Sequence, residues 1–291
     1  YLDLLTMLTP YNLPKYGLGL GETETMDRVI DDIGEQISYY TSRGGKVSFD
    51  PMDGPRTRED ILFKAYRVAV EAGAQQIRLL DTVGTIGMAG WRYLVSKLRR
   101  EFPDVLLAVH CHNDFGQAMA NVYTAIECGA DVVDVCINGL GERAGNADLA
   151  TVAAGAELLY GVETGIDLTK LFELSELVSS IAKQTPSRNH PIIGEWAFAH
   201  GDEAHHKNSH IFPWIFEGVR AELFGNKQKI VLGLQSGVYA MKAKLEELGV
   251  PNVDDEGAQR LVSELKARIL QEKHIFSDEE IRSMAEGLLH V

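Results

Sequence analysis

The chain reads as an α/β protein: a (β/α)8 TIM barrel lacking its first strands, followed by a helical C-terminal subdomain. Three observations predict this. Short apolar runs alternate with amphipathic helical stretches at roughly 30-residue spacing, the mark of parallel βαβ units. Each run gives way at its C-terminal end to polar residues, the end at which parallel barrels build their sites. From about Val162 the strands stop and only helical patterns continue. The competing architecture is a doubly wound open sheet, which gathers its polar residues at one switch point rather than at every strand end.

Taken in order, Leu2 to Leu8 is strand-like and closes at Thr9-Pro10-Tyr11-Asn12. Tyr16 to Gly21 carries glycine at alternate positions. It lacks the strand-then-helix context of a phosphate cradle and reads as a mobile loop. A helix follows to about Ser42, with Met26, Val29, Ile30, Ile33 and Ile37 on one face, stopped by Gly44-Gly45. The strand Lys46–Asp50 leads into a polar loop with Asp53 and Arg56, then a helix through Ala72. Gln76–Leu80 is a strand ending in Asp81-Thr82-Val83-Gly84, and a helix from Met88 to Phe102 comes next. The apolar run from Val105 to Val109, the helix Gly116–Cys128, the strand Asp131–Ile137 and a helix Asn146–Leu159 complete the pattern. Five strands are visible where a closed barrel of this class needs about eight. Three more are therefore expected upstream, from residues preceding Tyr1 or from another chain. The boundaries drawn are 1–160 for the partial barrel and 161–291 for helical lid and C-terminal subdomains. In the second part, the segment from Gly201 to His210 is rich in histidine. It reads as solvated loop, with one or two histidines serving an active site as acid–base groups. Val253–Lys273 and Ser277–Leu289 are helices.

The candidate chemistry sits in two stretches. In Val109-His110-Cys111-His112-Asn113-Asp114, residues i and i+2 of a strand share a face, so His110 and His112 point the same way. Neutral imidazole is the commonest nitrogen ligand of a divalent ion, and two side by side suit one. Cys111 faces the other side and reads as buried filler. In Gly139-Leu140-Gly141-Glu142-Arg143-Ala144-Gly145-Asn146, glycines let the backbone turn tightly, and Glu142, Arg143 and Asn146 add polar groups.

Composition narrows the function classes. The chain has 291 residues, 45% hydrophobic and 24% charged, within the ordinary globular range. Its net charge of −14 argues against a nucleic-acid partner, so an anionic substrate needs local cations. No apolar run approaches the roughly 20 residues of a membrane span. Three cysteines, an odd number, fit reduced thiols and a cytoplasmic setting.

Together the two stretches resemble the DRE-TIM metallolyases, and within them most closely the 2-isopropylmalate and homocitrate synthases. Asp81-Thr82-Val83-Gly84, Ala197-Phe198-Ala199-His200, and Ile230-Val231-Leu232-Gly233 with Ser236-Gly237 extend the resemblance over nearly the whole chain. It implies an acyltransferase of amino-acid biosynthesis that condenses acetyl-CoA with a 2-oxo acid. His110, His112 and Asn146 would hold a divalent metal, Mg2+, Mn2+ or Zn2+. Arg56 and Thr82 would hold carboxylate oxygens, and His205 matches the lid histidine that reaches the acyl thioester. Thr9, at the first strand end, is a further substrate-binding candidate, and Glu142 a further catalytic one. The resemblance also implies a homodimer in which the helical tail caps the neighbour's barrel. Two alternatives are a C–C lyase of the HMG-CoA lyase type and an incomplete, non-catalytic subunit. The sequence departs from the family at several points. The Asp-Arg-Glu strand, which supplies a metal-ligating Asp, is absent. Met52 stands where an acid is common, Phe216 falls where the lid tyrosine is expected, and Gly201–Ala204 replaces a small apolar run.

Overall fold

The computed structural model describes residues 1–8 and 23–289, in two compact units, Tyr1–Ile166 and Asp167–Val291. Thr9 and the glycine-rich stretch 16–21 lie outside the described residues.

In the first unit, β1 (Leu2–Met7), β2 (Val47–Met52), β3 (Gln76–Asp81), β4 (Leu106–Cys111) and β5 (Val132–Val133) form one parallel sheet in sequence order. A doubly wound sheet reverses its strand order; this one does not, as a barrel wall requires. The intervening helices are α1 (Thr23–Thr41), α2 (Glu59–Glu71), α3 (Met88–Glu101), α4 (Ala118–Glu127) and α5 (Leu149–Tyr160).

Strand alternation sorts the side chains onto two faces. Phe49, Ile77, Leu79, Leu107 and Val109 are buried against the helices, with Ile30, Ile33, Ile37, Leu62, Tyr66, Trp91 and Val122. Each large apolar side chain buried this way contributes roughly 1.5–3 kcal/mol. The opposite face carries Ser48, Asp50, Gln76, Arg78, Ala108 and His110. Its charges are tied together: Arg78 pairs with Asp50 and lies 3.7 Å from Asp3 and 3.2 Å from Asp134.

The fifth strand is shorter than the sequence predicts. After the Asp134 N–H donates to Val109 O, the chain leaves β4 and pairs with a returning segment: Cys136 N–H donates to Ala147 O, and Leu149 N–H to Cys136 O. The same pairing delays α5, expected from Asn146, to Leu149. Asp148 caps it by accepting from the Thr151 N–H at 2.8 Å.

The second unit has its own core, built by α8 (Val238–Glu247), α9 (Asp255–Glu272) and α10 (Asp278–Leu289) around Leu232, Met241, Leu245, Leu261, Leu265 and Phe276. Ahead of them come α6 (Leu171–Ala182) and the two-residue strands β6 (Ala199–His200) and β7 (Lys229–Ile230), which pair in parallel. The histidine-rich segment is not a loop. It forms α7 (Glu203–Ile211), because Asp202 accepts from the Ala204 and His205 N–H groups as an N-cap. His206 is buried within it. No helix among the described residues is long and apolar enough to cross a membrane.

Asp50 supplies a test of the inner face. Burial, with smaller pushes from Asp3 and Asp134 and against bonds from Ser48 and Arg78, raises its carboxyl from 3.8 to about 6. Its folded pKa exceeds its unfolded one, so it binds a proton more tightly in the native state. It therefore penalises stability as pH rises from about 4 through 6. Urea unfolding across that window should show the Asp50→Asn chain free of a pH-dependent loss of up to about 3 kcal/mol that the wild type carries. Parallel stability curves would refute this placement of the charge.

Candidate active site at the strand ends

The polar residues beyond β2, β3, β4 and β5 converge. The His110 and His112 rings stand 5.0 Å apart, centroid to centroid. The segment carrying Asn146 crosses the end of β4 in an antiparallel bridge with His112, held by the Asn113 N–H on Gly145 O at 2.9 Å. This brings Asn146 Nδ2 to 3.2 Å from His110 Nε2, where its N–H donates to the ring nitrogen. His110 Nδ1, on the other side of the ring, is 3.1 Å from Asp134 Oδ2.

The glycines are what allow the crossing. A Cβ on Gly141 would lie 2.0 Å from Asn146 Oδ1, and one on Gly145, at φ +85°, would lie 2.0 Å from Gly139 O. Arg143 then clamps the loop. It donates to both Asp114 oxygens, at 2.8 and 2.9 Å, and to Thr82 O at 2.8 Å. The guanidinium holds Asp114 below the usual carboxylate range.

The two imidazoles and the carboxamide fit a divalent ion. His112 Nδ1 is buried and has no hydrogen-bond partner, an orphaned polar atom of the kind a ligand satisfies. Burial first, then neighbouring His110 and Arg143, pushes the His112 pKa down, which favours the neutral, ligating imidazole. Among the described residues no three His, Cys, Asp or Glu side chains form a metal-holding group. The two imidazoles offer nitrogen donors there, and the carboxamide beside them has its Nδ2 toward His110 and its Oδ1 beside Gly141.

The other sequence candidates divide. Thr82 sits beside the site, its Oγ1 accepting from the Asp53 N–H at 2.8 Å, with its own O–H left to donate. Arg56 forks onto Asp53 at 2.8 and 2.6 Å, fixed by a left-handed Asp53 (φ 62°). Glu142 turns outward, its side chain 82% exposed beside Arg143. His205 belongs to the second unit, where its ring stacks on Phe216 at 3.9 Å and 18°. Nearby, His200 Nε2 is 3.3 Å from Glu217 Oε1. Sequence reasoning gave no role to Asp134, Arg78 and Asp50. The signal was present: each is a single charge interrupting an apolar run, at the alternation that faces His110.

Parallel strands in sequence order, with a histidine pair and an asparagine at their C-terminal ends, define a barrel-type α/β protein with a candidate metal centre. The chain belongs to the HMGL-like family, whose model matches residues 21–178. A second model, "Homocitrate synthase post-HMGL domain-like", matches 192–273. The 2-isopropylmalate synthase of Methanocaldococcus jannaschii is 38% identical over 280 residues, 94% of this chain and 52% of that protein. A putative (R)-citramalate synthase and a homocitrate synthase of Methanopyrus kandleri are each 38% identical, over 91% and 88% of this chain and 52% and 62% of theirs. The chain thus spans about half the length of the first curated relatives it matches. An HMG-CoA lyase of Bacillus subtilis superposes with a TM-score of 0.53 at 20% identity, over 64% of this chain and 66% of that one. That likeness carries the fold alone.

Gly141 offers the sharpest local test. Gly141→Ala should displace the Asn146 carboxamide and lower Mn2+ affinity about 10-fold or more in calorimetric titration. The melting temperature should barely move, since position 141 is exposed. Unchanged affinity would remove Asn146 from the ligand set.

Proposed function

We propose that the chain is the catalytic part of a metal-dependent, Claisen-type acyltransferase that condenses acetyl-CoA with a 2-oxo acid. The observation that carries this is the meeting of His110, His112 and Asn146 at the strand ends. The similarity to 2-isopropylmalate, citramalate and homocitrate synthases supports it. The post-HMGL match over 192–273 favours a synthase over a C–C lyase.

A divalent ion bound by His110, His112 and Asn146 would supply Lewis-acid polarisation of a ketone. The remaining work falls to side chains. Thr82 donates its hydroxyl proton to a carboxylate oxygen of the 2-oxo acid. Arg56, whose guanidinium is preset by Asp53, provides the positive charge a −14 chain must concentrate locally. Arg143 keeps the loops after β3 and β4 in fixed relation, so that donors and ligands do not reorganise as charge develops. His205 is assigned the base that takes a proton from the thioester methyl. Its neighbour Phe216 has no hydroxyl to share that proton transfer.

Thiol release from acetyl-CoA, measured on the full-length gene product with a panel of 2-oxo acids and added Mg2+, Mn2+ or Zn2+, tests the reading. Release with at least one acid is expected, and none with any acid would sink it. His110→Ala should reduce metal-dependent turnover at least about 100-fold; retained activity would remove His110 from the ligand set. In a separate comparison, Phe216→Tyr should raise kcat by returning a proton-transferring hydroxyl beside His205. An unaltered kcat would show that position 216 takes no part in the proton transfer.

A further inference from the structure

The inner face of the sheet carries a continuous polar thread that ends on a candidate ligand. Gln76 Nε2 donates to Ser48 Oγ at 3.0 Å, and the Ser48 hydroxyl donates to Asp50 Oδ1 at 2.6 Å. Asp50 pairs with the Arg78 guanidinium, whose Nε lies 3.2 Å from Asp134 Oδ2. The same Asp134 oxygen is 3.1 Å from His110 Nδ1. The Arg78 Nε contact is an ion pair rather than an aligned hydrogen bond. Ser48 and Asp50 have no exposed surface, so their geometry is set by packing rather than by solvent.

We propose that Asp134, anchored by Arg78 and Asp50, is a positioning residue that fixes the ring and the tautomer of His110. A carboxylate can only accept, so its contact with Nδ1 requires the Nδ1–H form of the ring. The Nε2 lone pair is thereby turned toward Asn146, whose Nδ2–H, 3.2 Å away, it accepts in the metal-free chain. A carboxylate behind a ligating imidazole fixes its orientation and raises its basicity, and losing such a partner commonly costs about 10- to 100-fold in metal affinity.

Arg78 is needed because Asp134 is only half buried and has a choice of partners. A guanidinium on one side keeps the carboxylate aimed. Asp50, with no exposed surface, keeps the guanidinium from swinging away. The pattern of contacts thus runs inward from His110 through three charges, one just after β5 and the others on β3 and β2. The positioning role rests on the proposed metal-binding role of His110, and the two can be told apart by experiment.

The test uses the full chain and two readouts. The first is nitrogen-detected NMR of 15N-histidine-labelled, metal-free protein, which reports the tautomer of His110. The second is Co2+ affinity, followed by visible absorption. The wild type should show the Nδ1–H tautomer and bind Co2+. Asp134→Asn should shift His110 toward the Nε2–H form, and weaken Co2+ binding about 10- to 100-fold. Asp134→Glu should restore part of both. A wild type in the Nε2–H form overturns the proposal. So does an Asp134→Asn chain whose tautomer and affinity are unchanged, and that result leaves the ligand role of His110 standing. A wild type that binds no Co2+ overturns both readings. Should Asp134→Asn fail to fold, Arg78→Gln takes its place. It keeps both Asp134 and His110 but removes the anchor that aims one at the other, and the proposal requires it to lower Co2+ affinity at least about 3-fold; an unchanged affinity overturns the proposal.

Discussion

One guanidinium governs the inner face of the sheet. Arg78 stands among the carboxylates of Asp50, Asp134 and Asp3, with three strands and the segment after β5 each contributing one of these groups. A charge taken out of water is tolerable only when paired, and removing one partner of a buried pair costs far more than the pair contributes. The strands are therefore held in register by more than their ladders. The balance of the cluster is also uneven, three potential negatives around one positive. Part of that excess is relieved by the raised pKa of Asp50, which near pH 6 is half protonated. What remains is divided between Asp3 on β1 and Asp134, next to His110. Residual negative charge at that end of the cluster is the electrostatic setting a bound cation needs in a strongly acidic protein.

The outer loops obey a steric constraint instead. Asn146 reaches His110 because the chain between Gly139 and Gly145 folds back on itself, with glycine at the two points where any Cβ would strike the backbone or the carboxamide. Arg143, itself in a left-handed conformation at φ 57°, closes the turn by gripping Asp114 and the Thr82 carbonyl. The motif is thus one mechanical unit. Its glycines let Asn146 approach, and its arginine prevents it from retreating. Such pre-set geometry spares the site the cost of ordering loops when a substrate binds.

Much of this could be read before any coordinates. Strands β2 to β4 announce themselves as apolar runs because most of their residues are buried, and the α helices as stripes that match the buried positions Met26, Ile30, Ile33 and Ile37. The facing of His110 and His112 was legible because period-two alternation and strand-end placement need no long-range knowledge, whereas Asn146 as their companion rested on the family resemblance. The shortened β5 was not, because a returning segment competes for the hydrogen bonds of residues 134 to 137, and pairing between distant segments leaves no local trace. Nor was α7, whose residues have little helical stripe; its start depends on one capping carboxylate, Asp202. The inner-face charges escaped because a lone Asp or Arg within an apolar run has a meaning only once its neighbours across the sheet are known.

Three histidines of the second unit differ in their surroundings. His206 is buried, its Nε2 lacks a partner, and burial with the nearby His200 pushes its pKa down. Such a ring holds a proton less readily than a free imidazole. His200 is committed to Glu217, whose Oε1 also takes a bond from Gln228 at 2.5 Å. His205 differs from both. Stacking on Phe216 covers one face of its ring, and a face carries no lone pairs. Both nitrogens lie on the ring edge, and the residue is partly exposed. A base needs its orientation fixed and its nitrogen open. An aromatic partner without a hydroxyl supplies the first without occupying the second, which sets the surroundings of His205 apart from those of His200 and His206.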